Sequence, residues 1–166
     1  RYISQRSCGK MGYAIARAAL RRGDDVTLIS GPSSEEPPGG VFFIPVERAS
    51  EMETEVFKQF KMATSVIMAA AVSDYSPSDI AKVKLGKKDE MSLRLKKNTD
   101  ILRELGKKKG RRVLVGFAAE SGKDVKSAIA KLKEKNLDLI VLNDISRKDA
   151  GFDVDTNVVT IINRKG

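Results

Sequence analysis

Short apolar runs alternate along this chain with stretches in which apolar residues recur every three or four positions. The runs end at Gly, Pro or polar residues and are typical of strands, whereas the three-to-four spacing is typical of helices. Alternating strands and helices predict a three-layer α/β/α fold around a mostly parallel sheet. The predicted strands cover 25–30, 41–46, 64–72, 112–117, 137–142 and 157–162.

Each predicted helix carries one apolar face. The first helix has Met11, Ala14, Ile15 and Ala18 on this face, the second Met52, Val56 and Phe60, and a later one Val125, Ile129 and Leu132. We expect a capping box at 50–53 to open the second helix. The nearly continuous apolar strand 64–72 is typical of a strand covered on both faces.

Ligands of parallel α/β folds bind where strands end, at their carboxyl ends. The turns after Ser30, Val72, Phe117 and Leu142 should therefore converge on one site. The segment 75–100 interrupts the alternation of strands and helices. Polar and apolar residues alternate within it, which predicts a flap or small hairpin over that site.

A glycine-punctuated turn precedes the first helix, at Gly9, Lys10 and Gly12. Glycine lets backbone approach a ligand closely, and the first turn of a helix has unpaired amides that suit a phosphate or carboxylate. The alternative is an ordinary strand-to-helix turn that uses glycine. A dinucleotide-binding oxidoreductase would need a third glycine, and an acidic residue at the end of the strand that follows the first helix. Here that strand, 25–30, ends in Ser30 and is followed by Gly31 and Pro32.

Amino-acid composition limits which kinds of protein and which kinds of site are compatible with the chain. The 166 residues fit one domain, 41% of them apolar, and no run is long enough to span a membrane. The single cysteine and the lack of histidine make a protein-based N/S metal site improbable. We expect a cytoplasmic protein, since no signal-like segment opens the chain. The net charge of +9 keeps a basic nucleic-acid-binding module as an alternative, although aromatic residues, at 5%, do not interleave with the basic runs.

Six blocks, in one order, resemble the phosphopantothenate–cysteine ligase family, the synthetase half of the bacterial bifunctional coenzyme A flavoprotein. They are 1–12, 69–75, 82–84, 97–102, 115–120 and 135–144. The resemblance implies a Rossmann-like or ribokinase-like fold. It also implies that 1–166 is a single nucleotide-binding ligase domain that lacks its first strand and last helix.

The resemblance implies a reaction in which CTP activates 4′-phosphopantothenate as an acyl-cytidylate, which the amine of cysteine then attacks. Bacterial members use CTP and eukaryotic ones ATP, with Mg²⁺, and members are dimers. The implied partners are therefore these small molecules and a second copy of the chain, with no nucleic acid and no membrane. A phosphopantothenoylcysteine decarboxylase, fused or associated, would bring FMN.

The resemblance also implies roles for individual residues. Lys82 would stabilise charge during acyl-nucleotidylate formation, and Gln5 would help to pass the acyl group to cysteine. The implied nucleotide contacts are Met68, Ala69, Ala70, Asp74, Lys82, Thr99, Asp100, Ile101, Leu102, Phe117, Lys131 and Lys135. Substrate or anion contacts would come from Gly9, Lys10 and Gly12.

Three positions depart from the family pattern. Gln5 stands where most members have asparagine, Leu85 where they have a lysine, and Thr99 where proline is common. Each charged candidate also has a simpler interpretation, as a solvated loop or helix residue, and Phe117 could be a core aromatic residue.

Overall fold

Helices and strands alternate throughout the part of the chain that the computed structural model describes, which is residues 8–79, 83, 86, 90–120, 124–144 and 157–165. The helices are α1 (Lys10–Arg21), α2 (Ala49–Phe60), α3 (Ile101–Lys107) and α4 (Val125–Glu134). The strands are β1 (Thr27–Ser30), β2 (Phe42–Pro45), β3 (Ser65–Met68), β4 (Tyr75–Pro77), β5 (Leu95–Lys97), β6 (Val113–Glu120), β7 (Leu139–Asp144) and β8 (Val159–Asn163).

The strands form three sheets in which parallel pairing dominates. The largest has the order β3-β6-β7-β8, with β3, β6 and β7 parallel and β8 antiparallel to β7. The strands β1 and β2 form a separate parallel pair. The predicted mixed α/β class with a mostly parallel sheet is confirmed. A short antiparallel pair, β4 with β5, lies within 75–100, where a flap or hairpin was predicted.

The two parallel sheets are not joined by hydrogen bonds between described residues, so β1 and β3 each have one edge without a partner strand there. The prediction that a first strand and a last helix are lacking stays a prediction.

One hydrophobic core joins α2, α3 and α4 to the strands. Its largest fully buried side chains are Leu105, Leu114, Leu137, Ile140 and Leu142. Two glycines allow the close packing: a Cβ on Gly106 would overlap the carbonyl oxygen of Lys135, and one on Gly116 would lie 2.7 Å from Leu137 Cδ1. The helix α3 therefore contacts the end of α4 through backbone atoms.

The apolar face predicted for α1 was wrong. Its buried residues are Tyr13 and Ala16, whereas Ala14 and Ala18 are exposed. The Tyr13 hydroxyl donates a hydrogen bond to Ser30 Oγ at 3.1 Å. An aromatic residue buries more area than an alanine, and this contact turns the Tyr13 side of the helix toward β1.

The start of α2 also differs from the prediction, although its inward residues Met52, Val56 and Phe60 are buried as expected. The helix begins at Ala49, so Ser50 lies inside it. Its capping acceptor is the Glu51 carboxylate, which accepts from the backbone N–H of Glu47 at 2.8 Å and of Arg48 at 3.1 Å.

The strand predicted at 64–72 is shorter and less covered than expected. The observed β3 ends at Met68, and Ile67 is 45% exposed. Alanine has a low strand propensity, and Ala69 begins the segment that leaves the sheet. None of the helices in the described ranges combines the length and the apolar character that crossing a bilayer requires.

Candidate functional site

The turn before α1 is built around Gly9, which has a φ of +80°. A side chain there would be strained, and its Cβ would lie 3.0 Å from Ser33 Oγ. That hydroxyl donates to the carbonyl of Cys8 at 2.7 Å and accepts from the backbone N–H of Glu35 at 3.1 Å. The start of α1 is thereby fastened to the loop that follows β1.

The same helix turn contacts the end of β3. A Cβ on Gly12 would lie 3.9 Å from the Cβ of Ala69, which is ordinary van der Waals contact. The structure thus brings the candidate anion-binding residue Gly12 close to the candidate nucleotide contact Ala69. Small side chains on both sides leave the backbone accessible.

Phe117 lies beside the end of β3. In the sheet Met68 pairs with Gly116, so Phe117 is one residue beyond the last pair and is half-buried. Gly116 faces Leu102 of α3. Because side chains alternate along a strand, Phe117 points to the other face of the sheet from Leu102.

The segment after β3 is tied to the residues before α3. The Asp74 carbonyl accepts a hydrogen bond from the backbone N–H of Asn98 at 2.7 Å. The Asn98 side chain donates to the Ser73 carbonyl at 2.8 Å and accepts from Ser76 Oγ at 2.7 Å. Asp74 and Thr99 are exposed on either side of this link.

The start of α3 carries Asp100 as its cap. Asp100 Oδ1 accepts from the backbone N–H of Arg103 at 3.1 Å. The first residue of the helix is Ile101, directly after this cap. The side chains of Ile101 and Leu102 are 3% and 7% exposed, so a ligand could reach these residues only through their backbone.

Asp100 and Lys135 meet directly: Lys135 Nζ lies 2.9 Å from Asp100 Oδ2. Burial raises the pKa of Asp100, but the hydrogen bonds from Lys135 and from the Arg103 amide lower it, and the net pKa is below its ordinary value. Lys131 is one helical turn before Lys135, whose backbone N–H donates to the Lys131 carbonyl at 3.0 Å. The two lysines are therefore neighbours on α4, as predicted, and Lys135 already holds a carboxylate.

Gln5 and Lys82 lie outside the described residues. Across the described residues, no group of three or more His, Cys, Asp or Glu side chains could hold a metal ion. Sequence reasoning did not find Asn98 or Ser33 as site residues. Their bonds to Cys8, Ser73 and Ser76 join residues 22 to 25 positions apart, and no local pattern in the chain indicates such partners.

Comparison with protein families places this arrangement among known domains. Residues 1–166 match the family described as DFP, the DNA/pantothenate metabolism flavoprotein C-terminal domain. The chain is 47% identical over 168 residues to the coenzyme A biosynthesis bifunctional protein CoaBC of Bacillus subtilis, covering 100% of this chain and 41% of that protein.

A second relative carries a different name. It is a cysteine/cysteine sulfinic acid decarboxylase from an unknown prokaryotic organism, 42% identical over 168 residues, covering 99% of this chain and 46% of that protein. The chain thus spans less than half the length of these curated relatives.

A solved structure has the same fold. The crystal structure of the C-terminal domain of coenzyme A biosynthesis bifunctional protein CoaBC superposes with a TM-score of 0.83 at 37% identity. The superposition covers 100% of this chain and 74% of that one.

Proposed function

Because the chain belongs to the family of DNA/pantothenate metabolism flavoprotein C-terminal domains, we propose that it is the ligase that joins 4′-phosphopantothenate to cysteine in coenzyme A biosynthesis. Cleavage of CTP to CMP and pyrophosphate would supply the free energy that activates the carboxylate. The names of the CoaBC relatives support the pathway, and the resemblance of the six sequence blocks supports the reaction.

The proposed reaction has two steps. A carboxylate oxygen of 4′-phosphopantothenate attacks the α-phosphorus of CTP, and the bond to pyrophosphate breaks. The amine of cysteine then attacks the acyl carbonyl, an amide bond forms, CMP leaves, and the amine loses a proton. Both steps develop negative charge on oxygen, which nearby cations and N–H groups stabilise.

The observation that carries the proposal is the convergence of separate candidate segments. The glycine turn of α1 contacts the end of β3 at Ala69, and the segment after β3 is bonded to Asn98 next to Asp100, which in turn holds Lys135. In this proposal the small residues at 68–70 approach the nucleotide through their backbone. Lys131 and Lys135 would attract its phosphates, and Phe117 would contact it from the other face of β6.

The residues present fit a magnesium nucleotide complex. Mg²⁺ bound to substrate phosphates needs few protein ligands, often one carboxylate. Asp74 is an exposed carboxylate in the segment that follows β3, directly before β4, whereas the carboxylate of Asp100 is already bonded to Lys135 and Arg103. Asp74 would hold the ion, which supplies positive charge to the phosphates.

The wider setting of the ligase is part of the same proposal. The names of the CoaBC relatives describe bifunctional proteins, which supports a fused phosphopantothenoylcysteine decarboxylase with FMN. A cytoplasmic homodimer is the expected form.

The test measures pyrophosphate release from CTP and from ATP with Mg²⁺, in the presence and absence of 4′-phosphopantothenate. We expect release that requires 4′-phosphopantothenate, prefers CTP, and is followed by amide formation only when cysteine is added. Release that is independent of 4′-phosphopantothenate, or the lack of release with either nucleotide, would contradict the assignment. Equal rates with ATP would overturn the choice of CTP alone.

A further inference from the structure

Asn98 makes three hydrogen bonds to one short segment of the chain. Its backbone N–H donates to the carbonyl of Asp74, its side-chain N–H to the carbonyl of Ser73, and its side-chain oxygen accepts from the hydroxyl of Ser76, all within 2.7–2.8 Å. Asparagine is the residue that combines a donor and an acceptor at this length. An aspartate would set a carboxylate oxygen against the Ser73 carbonyl.

This residue stands at the junction of two features of the site. The antiparallel pair of β4 with β5 ends with Tyr75 opposite Lys97, and the bond from Asn98 to Asp74 continues it by one residue. Two residues later Asp100 accepts the amides of Arg103 and Glu104 and binds Lys135. Asn98 therefore fixes the distance between the backbone at Asp74 and that at Asp100.

We propose that Asn98 is a positioning residue that holds Asp74 and Asp100 in one fixed arrangement for nucleotide binding. The inference rests on the proposed ligase function and adds to it a residue outside the set of nucleotide contacts. The amide of Asn98 is satisfied on both sides by the protein, so it acts through the segments that it joins and not through the ligand. Without it the two segments would move independently, and part of the binding energy would be lost in ordering them.

The test compares Asn98→Ala and Asn98→Asp with a matched control, Ser78→Ala. The Ser78 hydroxyl also donates across the β4 and β5 pair, to the Arg94 carbonyl at 3.0 Å, but farther from Asp100. A milder variant, Ser76→Ala, removes only one of the three hydrogen bonds, so that the proposal can still be tested if the Asn98 variants do not fold. Thermal unfolding of each variant checks that it is folded.

The first readout is independent of any ligand. Hydrogen exchange should become faster at the amides of Arg103 and Glu104 in Asn98→Ala and remain as in wild type in Ser78→Ala. Unchanged exchange at these two amides in both Asn98 variants would overturn the positioning role, whether or not the protein is a ligase.

The second readout is CTP binding measured by calorimetry. We expect a Kd about tenfold weaker in Asn98→Ala, an intermediate value in Ser76→Ala, and no change in Ser78→Ala. The KM for CTP should rise by a similar factor while kcat changes less. Should wild type bind CTP and Asn98→Ala bind it equally well, the inference fails and the ligase assignment stands. Lack of binding of both CTP and ATP by wild type instead contradicts the ligase assignment, and the exchange data then decide the role of Asn98.

Discussion

The ammonium of Lys135 and the carboxylate of Asp100 form an ion pair of 2.9 Å between the end of α4 and the start of α3. Both residues are proposed nucleotide contacts, and in this structure each neutralises the other. A triphosphate that binds Lys135 must therefore share this cation with Asp100. Since Lys135 also lies against Gly106 through its backbone, its position does not depend on the ion pair alone.

We predict that Lys135→Ala weakens binding of CTP about tenfold and binding of CMP much less, because a lysine at the terminal phosphates contributes only to the triphosphate. The free energy of unfolding should fall by less than about 1 kcal/mol, as is usual for partly exposed ion pairs. Calorimetric titration with CTP and with CMP measures the two affinities, and thermal unfolding measures the change in stability.

The matched control for that change is Lys133→Ala, an exposed lysine on the same helix. It should bind CTP as wild type does. If Lys135→Ala lowers stability and leaves the CTP affinity unchanged, Lys135 is a structural partner of Asp100 and not a phosphate ligand.

Lys82 is predicted to act in the first chemical step. Lys82→Ala should reduce 4′-phosphopantothenate-dependent pyrophosphate release by a factor that corresponds to about 2–4 kcal/mol, as for removal of one group that stabilises a developing oxyanion. The fold should be retained, because the sequence predicts Lys82 in a loop, where a lysine contributes little to stability. Lys96→Ala, an exposed lysine of β5, is the control and should keep wild-type release. Equal release in the two variants would make Lys82 an ordinary solvated residue.

Gln5 is predicted to limit the second step. The side chain of glutamine is one methylene longer than that of asparagine, which adds roughly 1.3 Å of reach. A misplacement of a reacting group by about 1 Å can lower the rate about a hundredfold. Gln5→Asn should therefore speed amide formation and leave pyrophosphate release unchanged. Rapid-quench measurements would follow the acyl-cytidylate in both proteins. A wild type that accumulates no intermediate, together with a slower Gln5→Asn, would show that the site is adapted to glutamine.

The parts of the fold that follow from local pattern were predictable from the sequence. The apolar runs of β6 and β7 and the spacing of Met52, Val56 and Phe60 indicate their elements because burial of one face determines them. The face of α1 was missed because a tyrosine can be buried when its hydroxyl has a partner, and Ser30 is that partner. The spacing of Met11, Ala14, Ile15 and Ala18 gave a different face.

The candidate site was predictable only in part, for a similar reason. Resemblance gives the residue types at Asp74, Asp100 and Lys135, but it does not give the ion pair between the last two. The contacts of Asn98 and Ser33 depend on where distant segments fold. Such pairings depend on tertiary structure, which single-residue patterns do not encode.

A second carboxylate, that of Asp138 directly before β7, governs the predicted response to acid. Asp138 Oδ1 lies 2.5 Å from Lys109 Nζ, its Oδ2 accepts from the Leu114 amide at 2.7 Å, and Arg164 Nε is 3.6 Å away. Lys109 is only 8% exposed. Burial raises the pKa of Asp138, but these donors outweigh it and hold the pKa below its ordinary value.

The direction of the pH effect follows from that lowered pKa. The folded state keeps Asp138 ionised at a pH at which the unfolded chain, with a pKa of about 3.9, binds a proton. Its stabilisation is therefore complete above the unfolded pKa and is lost as pH falls through the folded pKa.

Asp138→Asn should lower the free energy of unfolding by about 2 kcal/mol at pH 7, because Lys109 loses its carboxylate. The difference from wild type should shrink below about pH 4. Urea unfolding between pH 7 and pH 2 measures both curves, and Asp25→Asn, at an exposed carboxylate before β1, should follow the wild-type curve. A difference that stays constant down to pH 2 would mean that the charge of Asp138 does not stabilise the fold.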